Sequence, residues 1–387
     1  MANYDYEIIN GRKIRVRPKE TVSEIDKNGY FRRQPNHFTT PFGDGENDLK
    51  AESNKRYRLV WAKLCHWSNR AAIVRELEGL EDQISVNMVE HAPHEKNLGW
   101  EYVYNENNID PVLGDQFLSE AYYRADDDYQ GRTTVPALID TTTGKVVNND
   151  YNWLTTYFEV NFRPWHKKGV PELYPVELRE EIDKMNLWLF DNINNAVYRS
   201  SFSRSNEGHF DGVNTFYAAM DRLEKRLETN RFLFGDYVTD SDIRLYVTLA
   251  RLDIRYTAQL GETKRPLYTY KNLWGYAKEL WEIPAFKNNT FFADFAVPPA
   301  DAKGRIEGEE DGFRASTHYD LALPKIDWDA QWKVSTERAY LSSDPTHPIY
   351  LGNNRRFYID PTWYDLGAES PKKEEKETPP SCGCCCG

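Results

Sequence analysis

A chain of 387 residues has room for two domains and extensions. Its 49 Lys and Arg against 61 Asp and Glu leave a formal charge of −12, which excludes a nucleic-acid partner that needs a basic footprint. With 11 Trp and 25 Tyr the chain is too aromatic for a disordered protein and suits a substantial core with aromatic-lined pockets.

Residues 1–50 are polar, rich in Gly, Asn and charge, and read as an extension wrapped over the body. Their opening, MANYDYEIINGRKIRVRPKE, lacks the apolar core of a secretory signal. RYRLVWA (56–62) reads as a buried strand. WSNRAAIVRELEGL (67–80) follows as an amphipathic helix, with Trp67, Ile73, Val74, Leu77 and Leu80 toward one face. ISVNMV (84–89) is a second strand, parallel to the first if the helix is a crossover.

A long loop rich in Asn, Asp and Tyr is expected to run to about 133. VPALID (135–140) and GKVVNN (144–149) read as two more strands, and YNWLTTYFEVNF (151–162) as a closing helix. The order β-α-β, loop, β-β-α is that of a thioredoxin-like domain, in which Pro136 fits the position that is commonly cis and faces the active site. The proline-rich 162–175 reads as a linker.

Beyond it, 176–199, 210–229, 239–260 and 271–282 read as helices. In YVTDSDIRLYV, Thr239 is placed as N-cap, Asp242 as its reciprocal partner, and Val238 and Ile243 as a hydrophobic staple. The expected units are 1–50, an N-terminal extension; 51–163, the thioredoxin-like domain; 164–300, a helical domain; 301–368, an acidic then aromatic C-terminal extension; and 369–387, a disordered Cys-rich tail.

No run approaches ~20 apolar residues, so no membrane-spanning helix is expected. Cys65 is the one cysteine before residue 382. It cannot build a disulfide framework, and a reducing cytoplasm is the natural setting. It falls where strand hands over to helix. A thiol there faces unpaired N–H groups and the positive end of the helix dipole, which favours the thiolate. Arg70, one turn on, either adds to that field or is a solvated charge. His66 reads as an exposed neighbour rather than a general base, because adjacent helical residues do not face each other. Ser68 stands where a CxxC motif would have its second cysteine. A one-cysteine site then needs an external thiol, such as glutathione, to resolve its intermediate.

These residues resemble the xi-class glutathione transferases, or glutathionyl-hydroquinone reductases, over about 55–285. That family has a Cys-Pro-Trp-Ala-His-Arg stretch where this chain has Cys65-His66-Trp67-Ser68-Asn69-Arg70. YRADDDYQGRTTVPALID (123–140) is the most specific match. GWEY (99–102), NNAVYRSSF (194–202), RFLFGDYVTDSDIRLYVTLARLDIRY (231–256) and YKNLWGYAKELW (270–281) follow in step.

The resemblance implies a glutathione-transferase-type helical C-terminal domain behind the thioredoxin-like one, and a homodimer. It makes Cys65 the nucleophile and gives the thiol co-substrate to Trp100, Arg132 and the backbone of Val135. Tyr198 is then a donor to the quinol oxygen, and Tyr319, in THYDL, a second tyrosine. The family's Glu-Ser pair for the glutamyl end of glutathione is here Asp150-Tyr151. Asp150 keeps a carboxylate on a shorter arm, so a related thiol such as γ-glutamylcysteine is admitted beside glutathione. No metal or nucleotide motif is seen.

The expected activity is removal of a glutathionyl group from glutathionylated hydroquinones through a Cys65 mixed disulfide. The alternatives are a general thiol transferase or deglutathionylase, and a non-catalytic binding protein of the same fold. The tail cysteines 382, 384, 385 and 386 suit a soft metal by type, yet they lack the C-x₂₋₄-C spacing of structural zinc sites. A tail dispensable for catalysis is the expectation.

Overall fold

The computed structural model describes residues 4–16, 23–92, 98–261, 265–295, 327–333 and 337–342. Tyr319, the tail 369–387 and most of 301–368 lie outside the described residues.

The first domain is built on a four-stranded sheet of β3 (Tyr57–Trp61), β4 (Ile84–Met88), β7 (Ala137–Asp140) and β8 (Lys145–Asn148), in the order β4-β3-β7-β8. β3 runs parallel to β4, with Leu59 opposite Val86, and antiparallel to β7, with Leu59 opposite Leu138. Every residue of β3 is buried, as its central place requires; its one charged residue, Arg58, is paired with Asp110 at 2.8 Å. The crossover between the parallel strands is α1 (His66–Leu77), and α3 (Leu154–Val160) closes the unit. The Val135–Pro136 bond is cis.

The expected long loop before 133 is interrupted. It carries a two-stranded ribbon, β5 (Glu90–His91) with β6 (Trp100–Glu101), and the helix α2 (Leu118–Ala125). Glu120 caps α2 by accepting from the N–H groups of Gln116 and Phe117 at 2.8 and 3.1 Å.

The helical domain comprises α4 (Arg179–Leu189), α5 (Ala196–Phe202), α6 (Asn206–Arg226), α7 (Asp240–Arg251), a short α8 (Thr257–Gln259), α9 (Lys271–Trp281), α10 (Pro284–Asn288) and α11 (Phe292–Phe295). Two of the expected helices are not continuous. A π-turn at Phe190–Asn194 separates α4 from α5, and another at Leu252–Tyr256 ends α7. Each inserts a residue relative to the 3.6 period, so the pattern continues while the direction of the side chains changes.

α7 starts as expected. Asp242 accepts from the Thr239 N–H at 2.8 Å and from its hydroxyl at 3.0 Å, and Val238 and Ile243 are buried beside it. α5 and α6 pack unusually close: a Cβ on Gly212 would lie 2.4 Å from the Ser200 nitrogen and 2.8 Å from the Ala196 oxygen.

One large core joins Leu59, Ile73, Val74 and Leu138 to the helical domain, while a smaller one on the other face holds Cys65, Trp67, Trp100, Tyr122 and Val135. Trp67 thus parts from Ile73 and Val74, with which the sequence pattern groups it.

The N-terminal extension is ordered in part. β1 (Tyr6–Ile9) and β2 (Arg12–Arg15) form a hairpin, and residues 23–42 run as a strap across the mouth between the two domains. The strap is pinned at one turn. Asp26 accepts from the N–H groups of Asn28 and Tyr30 at 2.9 and 3.0 Å. The Gly29 carbonyl then accepts from the Arg204 N–H at 2.7 Å. Gly29 has φ +82°, and a Cβ there would sit 2.8 Å from the Ser205 nitrogen, so only glycine fits.

Candidate active site

Cys65 is the N-cap of α1, in extended conformation at φ −83° and ψ 112°. Its carbonyl accepts the first helical bond, from the Asn69 N–H at 3.0 Å, and its own N–H donates to Ala62 at 3.0 Å. The thiol lies 3.7 Å from the Val135 carbonyl. It is the only cysteine among the described residues, and it opens on a cavity of about 560 Å³, within the range of small-molecule sites.

The helical domain fixes the loop that precedes it. Arg251, fully buried at the end of α7, donates to the carbonyls of Lys63 at 2.7 Å and Leu64 at 2.9 Å, and to Asn69 Oδ1 at 3.1 Å. α7 also packs on α1, and burial there corrects the expectation for His66 and removes the solvated alternative for Arg70. His66 is 1% exposed rather than a surface neighbour; its Nδ1 lies 3.1 Å from the Thr248 hydroxyl, and burial, followed by the charge of Arg251, holds its pKa well below the usual range. It is therefore neutral. Arg70 is also 1% exposed; it donates to the Tyr151 carbonyl, and burial pulls its guanidinium down to about 9.

Cys65, Trp100, Arg132, Val135 and Tyr198 all line the same cavity. The Trp100 indole donates to the Thr133 carbonyl at 3.1 Å and stacks on His91 at 3.8 Å, which locks its plane. Arg132 enters from the loop before β7 and pairs with Glu24 of the strap at 2.6 Å. Gln34 of the same strap exchanges two bonds with the Arg132 backbone, at 3.0 and 3.2 Å. Asp150 is not brought to the lining. Its carboxylate accepts from Asn36 at 2.9 Å, and Asn36 of the strap lines the cavity in its place, beside Tyr151.

Tyr198 projects from α5 with its ring 5.7 Å from Trp67. Burial, and then the charge of Cys65, raise its pKa, while the charges of Arg33 and Arg255 pull the other way. Tyr256, on the π-turn after α7, is pushed well above the ordinary value, chiefly by burial. Both hydroxyls keep their protons near neutrality.

The sequence pattern gives no sign of several lining residues. Arg33 and Glu24 sit in the aperiodic extension, and Arg255 and Tyr256 ride on a π-turn that reads as plain helix. The only sequence trace of the strap's role is the aromatic-cation spacing Phe31-x-Arg33.

A mixed sheet presenting a cysteine at the N-cap of its crossover helix, docked through that helix on a helical bundle, is the glutathione-transferase arrangement. The glutathione S-transferase C-terminal domain family matches residues 197–279. Among relatives, glutathione S-transferase omega-like 2 of Schizosaccharomyces pombe is 35% identical over 277 residues, covering 69% of this chain and 87% of that protein. Glutathionyl-hydroquinone reductase YqjG of Escherichia coli is 31% identical, covering 68% and 82%. The glutathione-bound structure of YqjG superposes with a TM-score of 0.60 over 69% of this chain and 87% of that one. The xi glutathione S-transferase of Phanerochaete chrysosporium, 33% identical, gives a TM-score of 0.64 over 70% and 88%. The chain belongs to the xi-class glutathione S-transferase and glutathionyl-hydroquinone reductase family, whose members are glutathione-dependent enzymes.

Proposed function

We propose that this protein reduces glutathionylated hydroquinones, with Cys65 as nucleophile and Tyr198 as the proton donor at the quinol oxygen. The observation that carries the reading is Cys65 at a helix N-cap, sharing a cavity with Tyr198, a tyrosine that burial keeps protonated. The adduct reacts as its keto tautomer, in which the sulfur-bearing ring carbon has taken the phenolic proton. Thiolate Cys65 attacks the glutathionyl sulfur. An S–S bond forms, the C–S bond breaks, and its electron pair restores the aromatic ring as a phenolate, which takes a proton from Tyr198. A second thiol then displaces Cys65 from the mixed disulfide. Over the cycle one thiol and the thioether sulfur of the adduct are oxidised to one disulfide, Cys65 is regenerated, and the ring carbon is reduced by two electrons.

Trp100, Arg132 and the Val135 backbone are assigned to the thiol. An extended backbone at Val135 can pair with the cysteinyl peptide by strand addition. A second reading of the thiol rests on Glu24. It neutralises Arg132, and Asp150 meets the cavity only through Asn36, so γ-glutamylcysteine, without a glycyl carboxylate, is the competing co-substrate. The ratio of kcat/KM for the two thiols decides between them. A homodimer in a reducing cytoplasm completes the proposal; light scattering tests the dimer.

The test of the mechanism is Cys65→Ala in a chain lacking residues 369–387, which removes the other four cysteines. It should abolish turnover of a glutathionyl hydroquinone and formation of a glutathionyl mixed disulfide seen by mass spectrometry. Retention of more than a few per cent of activity would sink it.

A further inference from the structure

Arg33 has no role in the mechanism so far, and its setting is unusual. It comes from the strap, lines the same cavity as Cys65 and Tyr198, and its guanidinium carbon lies 4.6 Å from the Trp67 ring centroid and 4.5 Å from that of Tyr198. Contacts of this kind hold a planar cation in place while leaving its N–H edge available. Its Nε donates to Asn195 Oδ1 at 3.1 Å, while its Nη2 is buried with no partner. No carboxylate pairs with it among the described residues. The one carboxylate that lines the cavity, Glu24, is taken by Arg132 at 2.6 Å. Arg204 and Arg255 add two more cations to the lining. An unpaired guanidinium kept in a partly buried site has a desolvation cost that a bound anion would offset.

We propose that Arg33 is a catalytic residue that holds the phenolate oxygen released when the C–S bond breaks, and that the enzyme therefore accepts quinols too weakly acidic to leave unaided. This rests on the quinol reading above. The position follows from the stacking: a cation lying on the Tyr198 ring is within reach of the oxygen that Tyr198 protonates. The charge appears on that oxygen only as the bond breaks, so the interaction strengthens toward the transition state. The glutathionyl carboxylates are the other anions available, and the experiment separates them from the phenolate.

The measurement is kcat/KM for a series of glutathionyl hydroquinones, from electron-poor rings with acidic phenols to alkylated rings with weakly acidic ones. Arg33→Gln should lose about 100-fold on the least acidic quinol and progressively less as acidity rises, with the KM for the resolving thiol unchanged. Melting curves establish that the variant is folded. Should Arg33→Gln not fold, Arg33→Lys carries the same comparison, with a loss of about tenfold at the weakly acidic end. An equal loss across the series, a raised KM for the thiol, or no loss would overturn the assignment. Wild-type protein that turns over no adduct in the series would overturn the quinol reading and this inference with it.

Discussion

Arg251→Ala is the perturbation that most directly probes how the helical domain holds the Cys65 loop. The side chain is fully buried, lies 3.9 Å from the Phe295 ring centroid, and donates to Lys63, Leu64 and Asn69 as well as to its own Val247 at 2.8 Å. Truncation leaves three acceptors on or next to the loop without their partner. At about 1–1.5 kcal/mol for each buried acceptor so stranded, the loss is about 3–5 kcal/mol, a large share of the stability of an ordinary domain. The cavity left by the side chain adds to it. Arg251→Met fills the space without the bonds and isolates the hydrogen-bond part. Urea denaturation gives the global loss, and peptide-resolved alkylation of Cys65 reports the local one, because a released loop exposes the thiol more often. The alanine variant should lose about 3–5 kcal/mol and alkylate faster at Cys65. A loss below about 1 kcal/mol with unchanged alkylation would refute the claim that Arg251 holds the loop.

Three other perturbations follow from the geometry. Gly29→Ala meets the Ser205 nitrogen at 2.8 Å with φ +82°; it should cost about 1–3 kcal/mol and loosen the strap, read as faster proteolysis between residues 23 and 42, and undiminished resistance would refute it. Tyr198→Phe should lower kcat on quinol adducts more than it raises KM for the thiol. Tyr256→Phe should give a smaller fall of the same kind, and an unchanged kcat in both would return the pair to a packing role. Asp253→Asn tests a charge effect. Burial raises the Asp253 pKa to about 6 while its carboxylate accepts from the Leu267 N–H at 2.5 Å. The raised folded value means that its stability is present at acid pH and is lost as pH rises through about 6, so the variant, which keeps an acceptor, should be more stable than wild type at pH 8 and lose that advantage by pH 4. Parallel melting profiles against pH would rule that out.

What could be read from the sequence followed the strength of local signals. β3, α1 and β4 are evident because a largely apolar run, broken by Arg58, a 3.6-period stripe and a second run succeed one another with a glycine at the helix end. α2 escaped notice because LSEAYYRA is only eight residues long and sits among Asn, Asp and Tyr that read as loop. Taken along α1 alone, His66 reads as exposed and Arg70 admits either a place beside the thiol or one in solvent. What they meet lies far along the chain, Thr248 of α7 for His66 and the Tyr151 carbonyl for Arg70, and no local window contains either contact. The π-turns are hidden for a related reason. One inserted residue barely disturbs a periodic pattern, yet it turns Arg255 and Tyr256 toward the thiol.

The field inside the cavity is the case where sequence totals mislead most. The chain carries a formal charge of −12, yet among the described residues the cavity lining contains four arginines and one carboxylate. Those arginines come from the strap, the loop before β7, the turn between α5 and α6, and the π-turn after α7, so no segment looks basic. A charge sum bears on solubility and on extended partners such as nucleic acid, because these sense the whole surface. An anionic group a few ångströms across, shielded by aromatic walls, senses only the charges that the fold gathers around it. The acidic surface and the cationic cavity are therefore compatible. The prediction that joins them is that catalysis on quinol adducts responds to neutralising Arg33 far more than to neutralising an exposed arginine such as Arg32, two-thirds of whose side chain is in water and whose partner is Asp26. Equal kcat/KM losses for Arg32→Gln and Arg33→Gln would mean that the general field, rather than the stacked guanidinium, acts on the substrate.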